Sequence, residues 1–304
     1  MDPASAPLVV IAGPTASGKT ALAVRAALAL GAEIISADSQ QVYRHFDVGT
    51  AKPSAAELGA VPHHLVSFVD PHDVYSAARF QADADRAISD IRGRGKRVVV
   101  VGGTGLYLRV LLRGVMEAPS ANPAFRAALE ARAEREGRPA LHRELAQVDP
   151  AAAAVIQPTD LIRITRALEI HAATGRPASA LRTEHAFSEA RHPHRLFVLQ
   201  PDRAALYEAI NARTRALYAV GLVEETRRLS SEGFREAAPM RSVGYAEALR
   251  VVDGTLSEAD AVVLTAQATR KYAKRQFTWF RKEPGAVFLP PPGPSVLPDG
   301  IRCA

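Results

Sequence analysis

Cysteine is nearly missing from this 304-residue chain, with Cys303 its only example. A single thiol permits neither an intrachain disulfide framework nor a zinc site built on cysteines, and it fits a reducing cytosol. No apolar run approaches the roughly 20 residues of a membrane span. The opening MDPASAP also lacks the charged-then-apolar pattern of a secretory signal. A soluble, cytoplasmic protein is the expectation. The chain is 47% hydrophobic, enough to bury the core of one or two domains. Lys and Arg number 38 against 32 Asp and Glu, and the resulting +6 makes a polyanionic partner plausible.

The strongest local signal is IAGPTASGKTALAV, residues 11–24, with the Gly-x4-Gly-Lys-Thr spacing of a phosphate-binding loop. An apolar run, Leu8–Ala12, reads as a buried strand ahead of it, and the Ala/Leu-rich stretch from Ala21 to Gly31 reads as a helix behind it. That context is what the motif requires. Glycines let backbone N–H groups approach phosphate oxygens, and the helix N-terminus adds partial positive charge. Lys19 would reach the terminal phosphate and the Thr20 hydroxyl would ligate Mg²⁺. An ordinary βα turn is the alternative.

Strand-like runs recur at Leu8–Ala12, Glu33–Ser36, Arg97–Val101 and Arg195–Leu199, with Leu65–Phe68 a weaker candidate. Their alternation with amphipathic stretches predicts an α/β fold, a mostly parallel sheet with helices on both faces. The alternation stops near Met116. From Asn122 to about Thr174 the pattern is helical, with Asn122 and Pro123 as an N-cap and N1 pair and Gly175 as a C-cap. The chain thus divides into a core (1–116 and 190–290), an all-helical insertion (117–189) and a Pro-rich tail (291–304) expected to be extended or disordered.

One acid is missing and another stands elsewhere. A nucleotide hydrolase of this fold usually ends a second apolar strand with an aspartate that helps hold Mg²⁺. Here Val98–Val101 runs into Gly102-Gly103-Thr104-Gly105, with no carboxylate. Asp38 instead closes the strand in EIISADSQQVY, at the strand end where ligands bind in open α/β sheets. Capping the next helix is its alternative role, and a tight turn is the alternative for the glycine run. Near the C-terminus, TAQATRKYAKRQFTWFRK (265–282) carries Arg270, Lys271, Lys274, Arg275, Arg281 and Lys282 without one acid. Such segregation favours a phosphate-rich partner, while a helix packed through its aromatics with its cations in water is the other reading.

Taken together, GPTASGKT (13–20), SADSQQVY (36–43), GTAKPS (49–54), VGGTGLYLR (101–109), DLIRITRALEI (160–170), SVGYAEAL (242–249) and TRKYAKRQFTWFRK (269–282) resemble the bacterial tRNA dimethylallyltransferases. They occur in family order and span nearly the whole chain. The resemblance implies a phosphate-loop kinase-like core with a helical insertion that helps grip tRNA. It also implies transfer of a dimethylallyl group from dimethylallyl diphosphate to N6 of the adenine next to the anticodon, in tRNAs reading codons that begin with U. Gly13, Pro14, Thr15, Ala16, Ser17, Gly18, Lys19, Thr20 and Arg213 would then hold the diphosphate, with Mg²⁺ on Thr20. Asp38, Thr104 and Lys19 would do the chemistry. Contacts to the tRNA anticodon stem-loop would come from Asp38, Ser39, Gln40, Gln41, Thr104, Arg126, Ile162, Arg163, Ile164, Thr165, Arg166, Arg270, Lys274 and Arg275. The family usually has Arg where Gln40 stands and often Pro-Gln where Leu161 and Ile162 stand; for a bacterial-type member no C-terminal zinc-finger extension is expected. A monomer is expected.

Two rivals remain at this point. A small-molecule or nucleotide kinase would use Lys19, Thr20 and even Asp38, but leaves the insertion and basic helix idle. A non-catalytic, nucleotide-regulated RNA-binding protein explains the basic helix but not the convergence of Asp38 and Thr104 on the loop.

Overall fold

Strands β1 (Leu8–Ala12), β2 (Ala32–Ser36), β3 (His63–His64), β4 (Arg97–Gly102), β5 (His194–Leu199) and β6 (Ala286–Leu289) form one sheet in the order β3-β2-β4-β1-β5-β6. Every pairing is parallel. The structure, a computed structural model, describes residues 6–116, 118–185, 191–291, 293 and 297–302. Cys303 lies outside the described residues. The residues of β1 are all buried, with Leu8 and Val10 in the core of one sheet face and Val9 and Ile11 in that of the other. That is why the strand reads as a continuous apolar run and not as an alternation.

Two expectations about strands are corrected. The candidate at Leu65–Phe68 is not one, because Leu65 and Ser67 adopt φ of 62° and 53°, and the short strand lies just before it at His63–His64. Strand β6 was not visible in the sequence. It pairs with β5 through Leu196–Leu199 against Ala286–Leu289.

Helix α1 (Lys19–Leu30) packs on one sheet face through Leu22, Ala23, Ala26 and Ala27. Next come α2 (Ala55–Ala60), α3 (Ala77–Gly93) and α4 (Gly105–Arg113). The chain divides into two compact units, residues 114–190 and the remainder.

The smaller unit is helical: α5 (Pro123–Glu136), α6 (Arg138–Val148), α7 (Pro150–Val155), α8 (Leu161–Thr174) and α9 (Ala178–His185). Leu129, Leu141, Leu145, Ile164 and Leu168 form its core. Asn122 accepts the Phe125 N–H at 3.1 Å at the start of α5, and Gly175 ends α8 at φ 68°. Asp149, fully buried, accepts the Ala152 N–H (2.9 Å) at the start of α7 and the Ser179 N–H (2.8 Å) in α9.

The larger unit continues with α10 (Arg203–Ala219), α11 (Leu222–Leu229), α12 (Tyr245–Val252), α13 (Glu258–Phe280) and α14 (Asp299–Arg302). The last of these corrects the expected tail: Ile301 is fully buried and joins Leu297 in the core over α1. An apolar residue able to cover the sheet outweighs the extended bias of the prolines before it.

Candidate active site

Strand and helix propensities bring the C-terminal ends of β1, β2 and β4 to one edge, where the loops at 13–18, 37–41 and 103–104 meet. The first is built as a phosphate cradle. Gly13 and Gly18 hold φ of 152° and 82°, which L side chains rarely adopt, and Gly18 stands at the N-terminus of α1. Lys19 folds back over this loop and donates to the Pro14 carbonyl at 3.2 Å. Burial pushes its ammonium down to about 8, the nearby Arg213 guanidinium adds to this, and the Asp38 carboxylate opposes it. Arg213, from α10, donates to Thr15 Oγ1 at 3.3 Å and is itself lowered by burial, again opposed by Asp38. Two cations held close against their mutual repulsion form a site that gains from an anion between them.

The second loop carries Asp38. Its Oδ1 accepts the N–H groups of Gln40 (2.8 Å) and Gln41 (3.3 Å). The residues that follow form a turn and no helix, so the helix-capping alternative is overturned: the carboxylate caps a turn. Ser39 N–H donates to Thr104 Oγ1 at 3.1 Å, joining the second loop to the third. Gln41 accepts from Ser36 Oγ at 3.2 Å and donates to the Ala51 carbonyl at 3.0 Å, while Gln40 Oε1 is buried without a partner among the described residues.

The glycine run after β4 has a specific use. A Cβ on Gly103 would lie 2.3 Å from Gln276 Nε2, and one on Gly105 would lie 2.2 Å from the Trp279 ring. The missing side chains let α13 lie directly on this loop. Gln276 and Tyr272 come with it, two site residues that the sequence reading left out as such. Burial pushes the Tyr272 hydroxyl up to about 12 with Asp38 adding to the effect, while hydrogen bonds with Thr104 and Gln276 partly offset it. The available signal was an uncharged glutamine amid basic residues, at a position that faces inward.

Lys19, Asp38, Arg213, Tyr272 and Gln276 line one cavity of about 360 Å³, which also takes Thr20, Arg275 and residues 241–244 into its wall. The basic residues of α13 therefore divide. Arg275 borders the cavity, whereas Lys274 and Arg281 line a separate recess of about 490 Å³ beside Tyr207 and Phe277. Arg270 donates to Asn211 Oδ1 at 2.6 Å. Among the described residues no cluster of three or more His, Cys, Asp or Glu could hold a metal ion on its own, and no helix is long and apolar enough to cross a membrane.

In the helical unit, Arg126 and Arg166 both bind the Glu169 carboxylate, Arg126 at 2.8 Å, and Asn122 N–H adds a bond at 2.6 Å. Burial would raise that carboxyl, but these donors outweigh it and hold it at about 2. Arg163 pairs with Asp160 at 3.5 Å and Ile162 is 84% exposed. Ile164 and Thr165, both expected to contact RNA, are buried. They lie on the inward face of α8, at 0% and 6% exposure, so their side chains are committed to packing.

Fold and site together define a phosphate-loop group-transfer enzyme, with cations and amides for a leaving anion and a carboxylate beside them. The family model for IPP transferases matches residues 41–283, and that for isopentenyl transferases matches residues 6–66. The chain belongs to the tRNA dimethylallyltransferase (IPP transferase) family. It is 62% identical to a tRNA dimethylallyltransferase of Myxococcus xanthus, over 98% of this chain and 96% of the relative. With one from Anaeromyxobacter dehalogenans it shares 56% identity, over 94% and 95% of the two chains. The crystal structure of the full-length tRNA isopentenylpyrophosphate transferase of Bacillus halodurans is similar at TM-score 0.68 and 37% identity, covering 93% of this chain and 89% of that one. A eukaryotic dimethylallyltransferase captured acting on tRNA gives TM-score 0.76 at 27% identity, covering 90% and 70%.

Proposed function

We propose that this protein transfers the dimethylallyl group of dimethylallyl diphosphate to N6 of the adenine next to the anticodon, in tRNAs reading codons that begin with U. The observation that carries the reading is the meeting of Lys19, Arg213 and Asp38 on a single cavity, with Thr104 tied to the cavity-lining Ser39. The C–O bond of the donor breaks as the C–N6 bond forms, diphosphate departs, and N6 gives up a proton. Loop N–H groups, Lys19 and Arg213 stabilise the charge that builds on the diphosphate, in a geometry set before reaction. Asp38, oriented through Oδ1, accepts the N6 proton and passes it to solvent. Thr104, fixed by Ser39, contacts the acceptor nucleotide or the leaving group. The target base lies in a stacked loop and must be flipped to reach the cavity.

Mg²⁺ fits this donor set. Thr20 lines the cavity with a single nearby carboxylate, and Mg²⁺ is commonly held through one or two protein oxygens plus substrate phosphates. When bound it would add Lewis-acid stabilisation to the diphosphate. Arg275, Lys274 and Arg270 on α13 and Arg163 on α8 would contact tRNA phosphates. The protein is read as a monomer, and the tRNA substrate supports a cytoplasmic location.

The test supplies bulk tRNA with either dimethylallyl diphosphate carrying labelled carbon or ATP labelled in its terminal phosphate. Label from the allyl donor should enter tRNA. Phosphoryl transfer from ATP without allyl transfer would overturn the reading in favour of a kinase.

A further inference from the structure

The loop at 47–50 forms part of the cavity wall through Gly49 and Thr50. Three successive N–H groups of this loop are bound by a single carboxylate, that of Glu225 on α11. Glu225 accepts the N–H groups of Asp47 (2.9 Å), Val48 (3.0 Å) and Gly49 (3.2 Å). It also accepts the Tyr245 hydroxyl, which in turn receives a second bond from Gly49 N–H at 3.1 Å. Tyr245 is fully buried and packs edge-on against Phe46 at 5.0 Å. The Gly49 backbone lies so close to its ring that a Cβ there would approach within 2.4 Å. Tyr245 begins α12, directly after residues 241–244, which line the same cavity. One carboxylate and one phenol thus tie two separate wall segments together.

These contacts exceed what loop closure needs. Four donors converge on two carboxylate oxygens, charge-assisted bonds that add geometric specificity to the backbone position. The residues these segments place on the cavity, Gly49, Thr50 and 241–244, are uncharged but for Arg241, whereas the groups suited to diphosphate, Lys19 and Arg213, stand on other elements. From this we infer that Glu225 and Tyr245 are positioning residues. They hold the 47–50 and 241–244 segments as a rigid wall against the uncharged part of the reactants, so that N6 and the allylic carbon meet in line. This inference rests on the proposed allyl transfer.

Glu225→Gln tests it. The amide keeps one acceptor oxygen but turns an NH₂ group toward backbone donors that cannot accept it. Turnover with tRNA at saturating donor is measured beside the affinity for inorganic diphosphate and the hydrogen exchange of the 47–49 amides. Exchange should quicken there, and kcat/KM should fall by up to ~10²-fold, the scale of a misplacement of about 1 Å. Diphosphate affinity should stay within about twofold because the phosphate loop is untouched. Unchanged kcat/KM despite faster exchange overturns the inference, and so does a parallel loss of diphosphate affinity. If Glu225→Gln does not fold, Tyr245→Phe is read in the same way. It keeps the ring and the three backbone bonds to Glu225 but loses both bonds of the hydroxyl, so a loss of at least about 3–10-fold is expected, and wild-type kcat/KM overturns the inference. Absence of allyl transfer by the unmodified protein overturns the parent reading and this one with it.

Discussion

Gln276 and Thr15 are joined by a hydrogen bond that crosses from α13 to the phosphate loop, the Thr15 N–H donating to Gln276 Oε1 at 2.9 Å. The other end of the same amide donates to the Gly103 carbonyl, also at 2.9 Å. The basic helix is therefore fastened to the diphosphate site through one buried side chain. It is packed, and it brings one cation, Arg275, to the cavity.

Gln276→Leu keeps the volume but orphans a buried N–H and a buried carbonyl. Each unpaired group costs about 1–3 kcal/mol, so a destabilisation of about 2–5 kcal/mol is expected in urea unfolding. Diphosphate affinity should fall as well, because the Thr15 amide loses its fixed direction. A variant as stable as the parent would mean that water replaces the amide without cost.

Lys19 links the site to pH. Its ammonium sits at about 8 in the folded protein, against an ordinary 10.5. A lysine lowered by folding binds fewer protons in the native state, so stability rises with pH between those two values. Binding an anion needs the charged form. Affinity for inorganic diphosphate should therefore weaken as pH climbs through about 8, approaching ~tenfold per unit once the lysine is mostly neutral. Lys19→Met should bind weakly and lose that part of the slope, which titration calorimetry from pH 7 to 9.5 would read. Equal slopes in both proteins would place the titration elsewhere.

Glu169 carries the corresponding acid-side prediction. With its carboxyl held at about 2 against an ordinary 4.5, its contribution is fully present above the ordinary value and lost as pH falls through the interval. Arg126→Ala removes one donor from a carboxylate whose side chain is only 3% exposed. A loss of about 1–3 kcal/mol is expected, because a buried charge is left short of partners. Reduced tRNA binding in this variant must be read against its unfolding curve, since this arginine is structural whatever else it does.

Much of this was legible in the sequence because it depends on short-range chemistry. The Gly-Lys-Thr spacing, the strand ahead of it and the caps at Asn122 and Gly175 are each decided within a few residues. Strand β6 depends on pairing with β5, almost ninety residues earlier in the chain, and leaves no local trace. The same holds for Gln276, whose direction is set by glycines far away in sequence, and for Ile164 and Thr165, whose inward face appears only once α8 packs on α5 and α6. Glu225 leaves no local signal in the sequence. Only the folded loop at 47–49 gives it a task.

Lys274 and Arg275 are both exposed on α13, yet they border different recesses. Each alanine variant should weaken tRNA binding, and each lost phosphate contact should lower the slope of log K against log salt by roughly 0.7–0.9. Arg275→Ala should also slow turnover, since it borders the cavity, while Lys274→Ala should leave turnover at saturating tRNA near normal. Unchanged slopes in both would return the helix to a purely packed role.

Asp38 is the sharpest test of mechanism. Its Oδ1 accepts two backbone N–H groups that shape the 38–41 turn. Asparagine can keep both bonds with its own carbonyl oxygen, so the turn survives in Asp38→Asn. What is lost is the second oxygen, to which no hydrogen bond is made among the described residues. Proton removal by a positioned side chain is worth about 10²–10⁴-fold. The single-turnover rate should drop within that range while tRNA affinity and thermal stability stay close to normal. Near-normal transfer would make Asp38 a turn-former that positions Gln40 and Gln41, and the proton would leave through another group or through water. A large loss of tRNA affinity with little change in the chemical step would make it a binding contact for the acceptor nucleotide.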